Sequence, residues 1–265
     1  MGDTLTNKKV LITGSSRGTG RATALKFAEE GADVLIHYRR EEELARETAE
    51  VIRKMGRQAL IFRADLDSRG DIDAMFDHVQ SEWGVLDIFI ANAAATAFKT
   101  ILEVKDYHIE KTYQVVVNST LQAVQRVVPL MEGREGRIIT ISSMGSGLTL
   151  PRYANIGSAK AALESLTRYF ATELGPKGIT ANCITPSVVD TDSLTFYTGD
   201  HYEKYRDGVV AKTPLGRLGQ PDDVANLALF LASGASSFLT GQVIKLDGGL
   251  TMNNHYPPEI EDLIK

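Results

Sequence analysis

Short aliphatic and β-branched runs alternate with amphipathic stretches along nearly the whole chain, and that alternation leaves few folds open. The runs fall at 10–12, 34–36, 59–62, 88–91, 137–142, 179–184 and 243–246. Helical patterns separate them at 20–30, 41–55, 71–83, 105–131, 158–174 and 221–233. Strands regularly separated by helices imply a parallel sheet covered on both faces, since a parallel connection needs a crossover of that length. The expectation is one α/β domain over residues 1–265, three layers deep, with a doubly wound parallel sheet. Two segments fall outside the rhythm: 192–212, read as a cover over the substrate, and a tail at 251–265.

Composition narrows the partners. The chain of 265 residues is 43% hydrophobic, enough to bury a large core, and its net charge is −5. No basic field exists to hold nucleic acid or an anionic membrane surface. No run approaches the ~18 apolar residues of a spanning helix, and the first residues lack the apolar stretch of a secretory signal. A cytoplasmic protein is expected. Cys183 is the single cysteine, which excludes an intrachain disulfide and a cysteine metal cluster. His37, His78, His108, His201 and His255 are scattered without metal-ligand spacing, so no metal is expected and no histidine is assigned a catalytic role.

The segment Thr13-Gly14-Ser15-Ser16-Arg17-Gly18-Thr19-Gly20 follows the first strand and opens the first helix. Glycines there let the backbone turn tightly and approach a pyrophosphate, whose charge sits at the helix N-terminus. Gly14, Ser16, Arg17, Gly18, Thr19 and Gly20 are therefore candidate cofactor contacts. An acidic side chain at the end of the second strand would bind the ribose 2′-hydroxyl of NAD and repel the 2′-phosphate of NADP. The chain reads Tyr38-Arg39-Arg40 there, with no carboxylate before Glu41. With Arg17 adding a third guanidinium, the expected cofactor is NADP(H).

Taken in order, the motifs resemble those of the short-chain dehydrogenase/reductase family, which has a Rossmann-type fold. They are the glycine turn, Asp65-Leu66, Asn92-Ala93-Ala94, Asn118, Ser143, Tyr153 with Lys160, Asn182 through Pro186, and Asp247-Gly248-Gly249. The resemblance implies that Asp65 and Leu66 flank the adenine, and that Asn92 and Ala93 border the cofactor. It also implies that Val189 and Thr191 contact the nicotinamide carboxamide, and that Asn118, Ser143, Tyr153 and Lys160 are catalytic. Lys160 would hold the nicotinamide ribose and lower the pKa of the tyrosine. A homotetramer is implied in the same way.

One departure bears on the reaction. Most of the family has three residues between tyrosine and lysine, which would put tyrosine at 156, where this chain has Ile156. Tyr153 stands six residues before Lys160 instead. That spacing resembles the NADPH-dependent type III enoyl-acyl-carrier-protein reductases of bacterial fatty-acid synthesis. An enoyl reductase delivers hydride to the β-carbon while charge appears on the thioester oxygen, so its acid must move relative to the nicotinamide. Three residues along a helix displace a side chain by ~4.5 Å and nearly keep its face. The expected substrate is thus an enoyl thioester, carried by an acyl carrier protein. The alternatives are a 3-oxoacyl reductase or another short-chain carbonyl or alcohol dehydrogenase, and a non-catalytic NADP(H)-binding protein. In the covering segment, Leu194, Phe196, Tyr197, Tyr202 and Tyr205 line an acyl channel or simply pack a helical flap. Lys204, Arg206, Lys212 and Arg217 are candidate contacts for an acidic carrier.

Overall fold

The computed structural model describes residues 4–95 and 97–252. Its seven strands are β1 (Lys9–Ile12), β2 (Asp33–Tyr38), β3 (Ala59–Arg63), β4 (Ile88–Ala91), β5 (Arg137–Ile141), β6 (Thr180–Pro186) and β7 (Val243–Leu246). They form one sheet in the order β3-β2-β1-β4-β5-β6-β7, parallel throughout. The strand order reverses between β1 and β4, which opens a crevice at their carboxyl ends where open α/β sheets bind ligands.

Side chains alternate across the sheet with period two, and both faces are apolar. Val10, Ile12, Val34, Ile36, Ile88 and Ile90 join one core. Leu11, Leu35 and Phe89, the residues between them, join the other. A strand buried on both sides cannot alternate polar with apolar, which is why these runs read as continuous hydrophobic segments. The first core is closed by α1 (Gly18–Glu29), α2 (Glu42–Lys54) and α9 (Pro221–Ala232). On the opposite face lie α3 (Arg69–Glu82), α5 (Ser119–Leu130) and α6 (Ala154–Leu174).

Three elements differ from the pattern read in the sequence. The helical stretch expected over 105–131 is α4 (Asp106–Tyr113), a π-helical turn Gln114–Asn118, and then α5. The β-branched run Val115-Val116-Val117 occupies the wide turn, where crowding against the preceding turn is relieved. The helix expected from 158 begins four residues earlier, at Ala154, capped by Tyr153. The segment at 192–212 is itself helical, with α7 (Asp192–Thr198) and α8 (Tyr202–Val210) joined by a short 3₁₀ turn. Of the tail at 251–265, only Thr251 and Met252 lie within the described residues.

Candidate active site

The crevice at the switch point holds a cavity of about 410 Å³. Gly14, Ser16, Arg17, Gly18, Thr19, Arg39, Arg40, Asp65, Leu66, Asn92, Ala93 and Thr191 all line it. These twelve cofactor-contact candidates share one connected surface, whereas Gly20, Lys160 and Val189 lie elsewhere for separate reasons. Gly20 is buried beneath the turn: a Cβ there would stand 2.2 Å from the Gly14 carbonyl oxygen. Gly14 has φ +67°, a left-handed conformation that favours glycine, and it packs against Ala93. Val189 does not face this cavity. It forms an isolated bridge with Gly219 and lines a second cavity of about 200 Å³.

Neighbouring strands hold the glycine turn in shape. Asn92 Nδ2 donates to the carbonyls of Thr13 (2.9 Å) and Gly14 (3.1 Å). Thr13 Oγ1 accepts from the backbone amides of Asn92 and Ala93, each at 3.0 Å. The Asn92 side chain therefore braces the turn in addition to lining the cavity. His37, which sequence reasoning left without a role, is the other brace. Its Nδ1 accepts from the Gly14 amide at 2.8 Å, so its Nε2 carries the proton and donates to the Ala64 carbonyl at 3.0 Å. Burial pushes the imidazole down to about 4. A histidine ending the strand that faces a glycine turn was the available signal. These features suit a dinucleotide: a bare backbone turn before a helix N-terminus, with the guanidiniums of Arg17, Arg39 and Arg40 lining the same cavity as the carboxylates of Glu41 and Asp65.

At the other end of the crevice, Tyr153 OH lies 2.9 Å from Ser143 Oγ. Tyr153 stands in the cap of α6, with φ −110° and ψ 4°, rather than within the helix. The shift relative to position 156 is therefore not a translation along one helix face. Ile156 fills its own place in a small apolar cluster with Val116, Ala159 and Leu163. Two glycines make room for the tyrosine. A Cβ on Gly145 would stand 2.4 Å from the Tyr153 ring, and one on Gly157 would stand 2.6 Å from the Gly145 carbonyl oxygen. A glycine costs about 1 kcal/mol in a helix interior, so Gly157, four residues after Tyr153, marks a close approach that the sequence already signals.

Lys160 is buried, and its Nζ donates to the Ile141 carbonyl. Burial pulls its ammonium down to about 8, opposed by Cys183 and Glu164. The tyrosine does not behave as expected. Burial pushes the Tyr153 phenol up, the Ser143 hydrogen bond opposes this, and Tyr205 and Tyr197 push it further; Lys160 is not among the groups that shift it. Asn118 does not join the cluster. It is exposed, its Nδ2 donates to Gln114 Oε1 at 3.0 Å, and it lines an outer groove with Gln114 and Gln122. The π turn rotates it outward and turns Val116 inward toward Ile156.

An aromatic wall borders Tyr153. Phe98 lies 5.7 Å from its ring and 4.5 Å from the Tyr197 ring, edge on, and Phe196 packs against Tyr197. Tyr202 is tied instead to Asp190 through a 2.8 Å hydrogen bond. Two of the four cations expected to meet an acidic carrier are already paired. Arg217 binds Asp223 with both terminal nitrogens, and Arg206 pairs with Glu203 and Asp207. Lys204 and Lys212 remain exposed. Among the described residues, no helix is long and apolar enough to cross a membrane.

The chain matches the family profile described as enoyl-(acyl carrier protein) reductase over residues 14–251. It is 36% identical to a 1-cyclohexenylcarbonyl-CoA reductase of Streptomyces collinus, over 91% of this chain and 86% of that one. It is 32% identical to the 3-oxoacyl-(acyl-carrier-protein) reductase FabG of Staphylococcus aureus, over 92% of this chain and 98% of that one. Among solved structures, it is similar to a 7α-hydroxysteroid dehydrogenase complexed with NADH and 7-oxo glycochenodeoxycholic acid. That likeness has TM-score 0.88 and 33% identity, over 93% of this chain and 96% of the other.

Two expected outcomes test this geometry. Gly145→Ala should displace the Tyr153 ring and lower kcat by roughly 10²-fold, with nucleotide affinity unchanged by fluorescence titration. Retained turnover would show that the ring's seat does not matter. The second concerns His37, which takes up a proton near pH 6.5 when unfolded and near 4 when folded. Between those values the unfolded state binds more protons, so stability is full above 6.5 and falls as pH drops toward 4, by up to about 3 kcal/mol. Denaturant midpoints against pH should show that slope flattened in His37→Gln.

Proposed function

The chain belongs to the short-chain dehydrogenase/reductase family, and from that premise we propose that it catalyses the NADPH-dependent reduction of the carbon–carbon double bond of an enoyl thioester. The observation that carries this reading is the position of Tyr153. Its hydroxyl reaches Ser143 from the cap of α6, while the place one turn inside the helix is filled by Ile156. Reduction at the β-carbon leaves negative charge on the thioester oxygen, two carbons away, so the group that meets that oxygen must stand apart from the nicotinamide.

The residues divide the work as follows. The glycine turn, Arg17, Arg39, Arg40, Asp65, Leu66 and Thr191 would hold NADPH, which supplies hydride when bound. Tyr153 and Ser143 present two hydroxyls to the developing enolate oxygen, and Tyr153 is the proton donor. Burial raises its pKa, so the phenol is protonated at neutral pH, as a donor must be. Lys160, charged below about pH 8, would hold the nicotinamide ribose once the nucleotide is bound. The helices α7 and α8, with Phe98, cover the acyl group and exclude water.

A second reading, reduction of a 3-oxoacyl thioester, is favoured by the Ser143–Tyr153 pair, which can equally hold a keto oxygen. The similarity to FabG gives it at least as much support as the enoyl reading has from relatives. The Streptomyces relative leans the other way, since its name describes a thioester conjugated to a ring double bond. A non-catalytic nucleotide-binding role fits less well, because such a protein has no need for a paired Ser143 and Tyr153. We take the carrier to be an acyl carrier protein, with Lys204 and Lys212 the free cations nearest the cover. We take the enzyme to be a cytoplasmic homotetramer.

Two measurements follow from this reading. NADPH oxidation is followed with crotonyl and acetoacetyl thioesters, for the wild type and Tyr153→Phe. Turnover of the crotonyl substrate alone, lost in the variant, is expected; turnover of the acetoacetyl substrate alone would transfer the assignment to 3-oxo reduction. For the cofactor, replacing Arg17 and Arg40 with alanine should weaken NADPH binding by about tenfold or more and leave NADH binding within about twofold. Equal losses for the two nucleotides would refute the 2′-phosphate assignment.

A further inference from the structure

We propose that Glu164 is a positioning residue for the reaction: one of its carboxylate oxygens gathers three hydroxyls and so fixes Ser143 opposite Tyr153. The inference rests on the reading that Ser143 and Tyr153 hold the developing oxyanion. Glu164 lies on α6, one turn beyond Lys160. Its Oε1 accepts from Ser142 Oγ at 2.6 Å, from Thr185 Oγ1 at 3.2 Å, and from Ser146 Oγ. Ser142 and Ser146 stand on either side of Ser143, in the loop between β5 and α6, while Thr185 belongs to β6. A single carboxylate thereby joins the helix that carries Lys160, the loop that carries Ser143, and the adjacent strand.

The hydroxyls in this loop are sorted by direction. Ser142 and Ser146 face Glu164, and Ser143 alone faces the tyrosine. An ionised carboxylate only accepts, so each hydroxyl that meets it must donate, and its orientation is set. Charge-assisted bonds of this kind are about twice as strong as neutral ones, and a loop anchored on both sides of a residue has little freedom to reorient it. Backbone bonds complete the anchoring: the Ser142 amide donates to Ile184 at 2.7 Å, and the Ser146 amide donates to the Ser143 carbonyl at 2.9 Å. What Glu164 supplies is the acceptor that keeps Ser142 and Ser146 from turning the loop over. In the sequence it reads as one more charge on a helix.

The test uses the full chain and whichever thioester the wild type reduces, with Glu164→Leu, Glu164→Gln and the double variant Ser142→Ala/Ser146→Ala. Glu164→Leu should lower kcat by about 10²-fold while nucleotide Kd and thioester KM stay within about threefold. Glu164→Gln keeps an acceptor oxygen for the same hydroxyls and should recover most of that loss. A role confined to folding would not produce that recovery together with the kcat-against-KM split. If Glu164→Leu does not fold, the double serine variant decides, with an expected loss of kcat of about tenfold or more. Turnover of Glu164→Leu near the wild-type rate overturns the proposal, as does Glu164→Gln falling as far as Glu164→Leu. Wild-type turnover by the double serine variant overturns it as well. Tyr153→Phe run alongside separates the two readings. If Tyr153→Phe is inactive and Glu164→Leu is active, only this inference fails; if Tyr153→Phe is active, the assignment of the oxyanion pair fails first.

Discussion

Everything at the reducing end of the crevice hangs from the close approach of the first turn of α6 to the loop after β5. Gly157 lies against the Gly145 carbonyl with no space for a Cβ, and the Tyr153 ring covers Gly145 in turn. Gly157, Lys160 and Glu164 are spaced by three and four residues, so they form a single stripe on α6, and Tyr153 stands at its cap. The helix face and its cap thus bring a phenol, a contact point, an ammonium and a carboxylate to one loop and two strand ends. Any side chain larger than hydrogen at the contact point would lift the stripe and the cap with it.

Burial then decides the protonation of Tyr153 and Lys160. It raises Tyr153 and lowers Lys160, two shifts in opposite directions from the same cause, since removal from water disfavours a charge of either sign. A phenol held protonated is suited to giving a hydrogen bond or proton to a new oxyanion. It is poorly suited to taking a proton from an alcohol, which would require the phenolate. The Ile141 carbonyl, which accepts from Lys160, keeps the ammonium paired inside the fold.

The sheet was legible because both its faces are buried: β2 and β4 are apolar at successive positions, and no half-exposed strand would be. The nucleotide turn was legible because glycine has few other reasons to recur between a strand and a helix. The outward side chain of Asn118 was not legible because a π turn inserts an extra residue, and a register set by one residue decides whether a side chain faces the core or the solvent. The placement of Tyr153 was not legible, since helical spacing applies only inside a helix and this residue is the cap. Gly145 and Glu164 act through partners outside their own neighbourhoods, where nothing distinguishes a brace from ordinary packing, and the one signal for His37 was its place opposite the glycine turn. Long-range partners are what the fold adds.

The two halves of the crevice are built on different principles. The glycine turn is held by Asn92, Thr13 and His37 through bonds to strands β2 and β4, so its amides are oriented before any nucleotide arrives. Binding there need not order a loop, which is the usual cost of recognition. The half beside Tyr153 is made from Phe98 and the α7 residues Phe196 and Tyr197, which meet through aromatic edges and leave Phe196 largely exposed. Those contacts lie outside the sheet and its two cores, so they can vary without disturbing the turn or the Ser143–Tyr153 pair. The aromatic contacts of Phe98 and Tyr197 are therefore free to differ where the nucleotide turn, held by the strands themselves, is not.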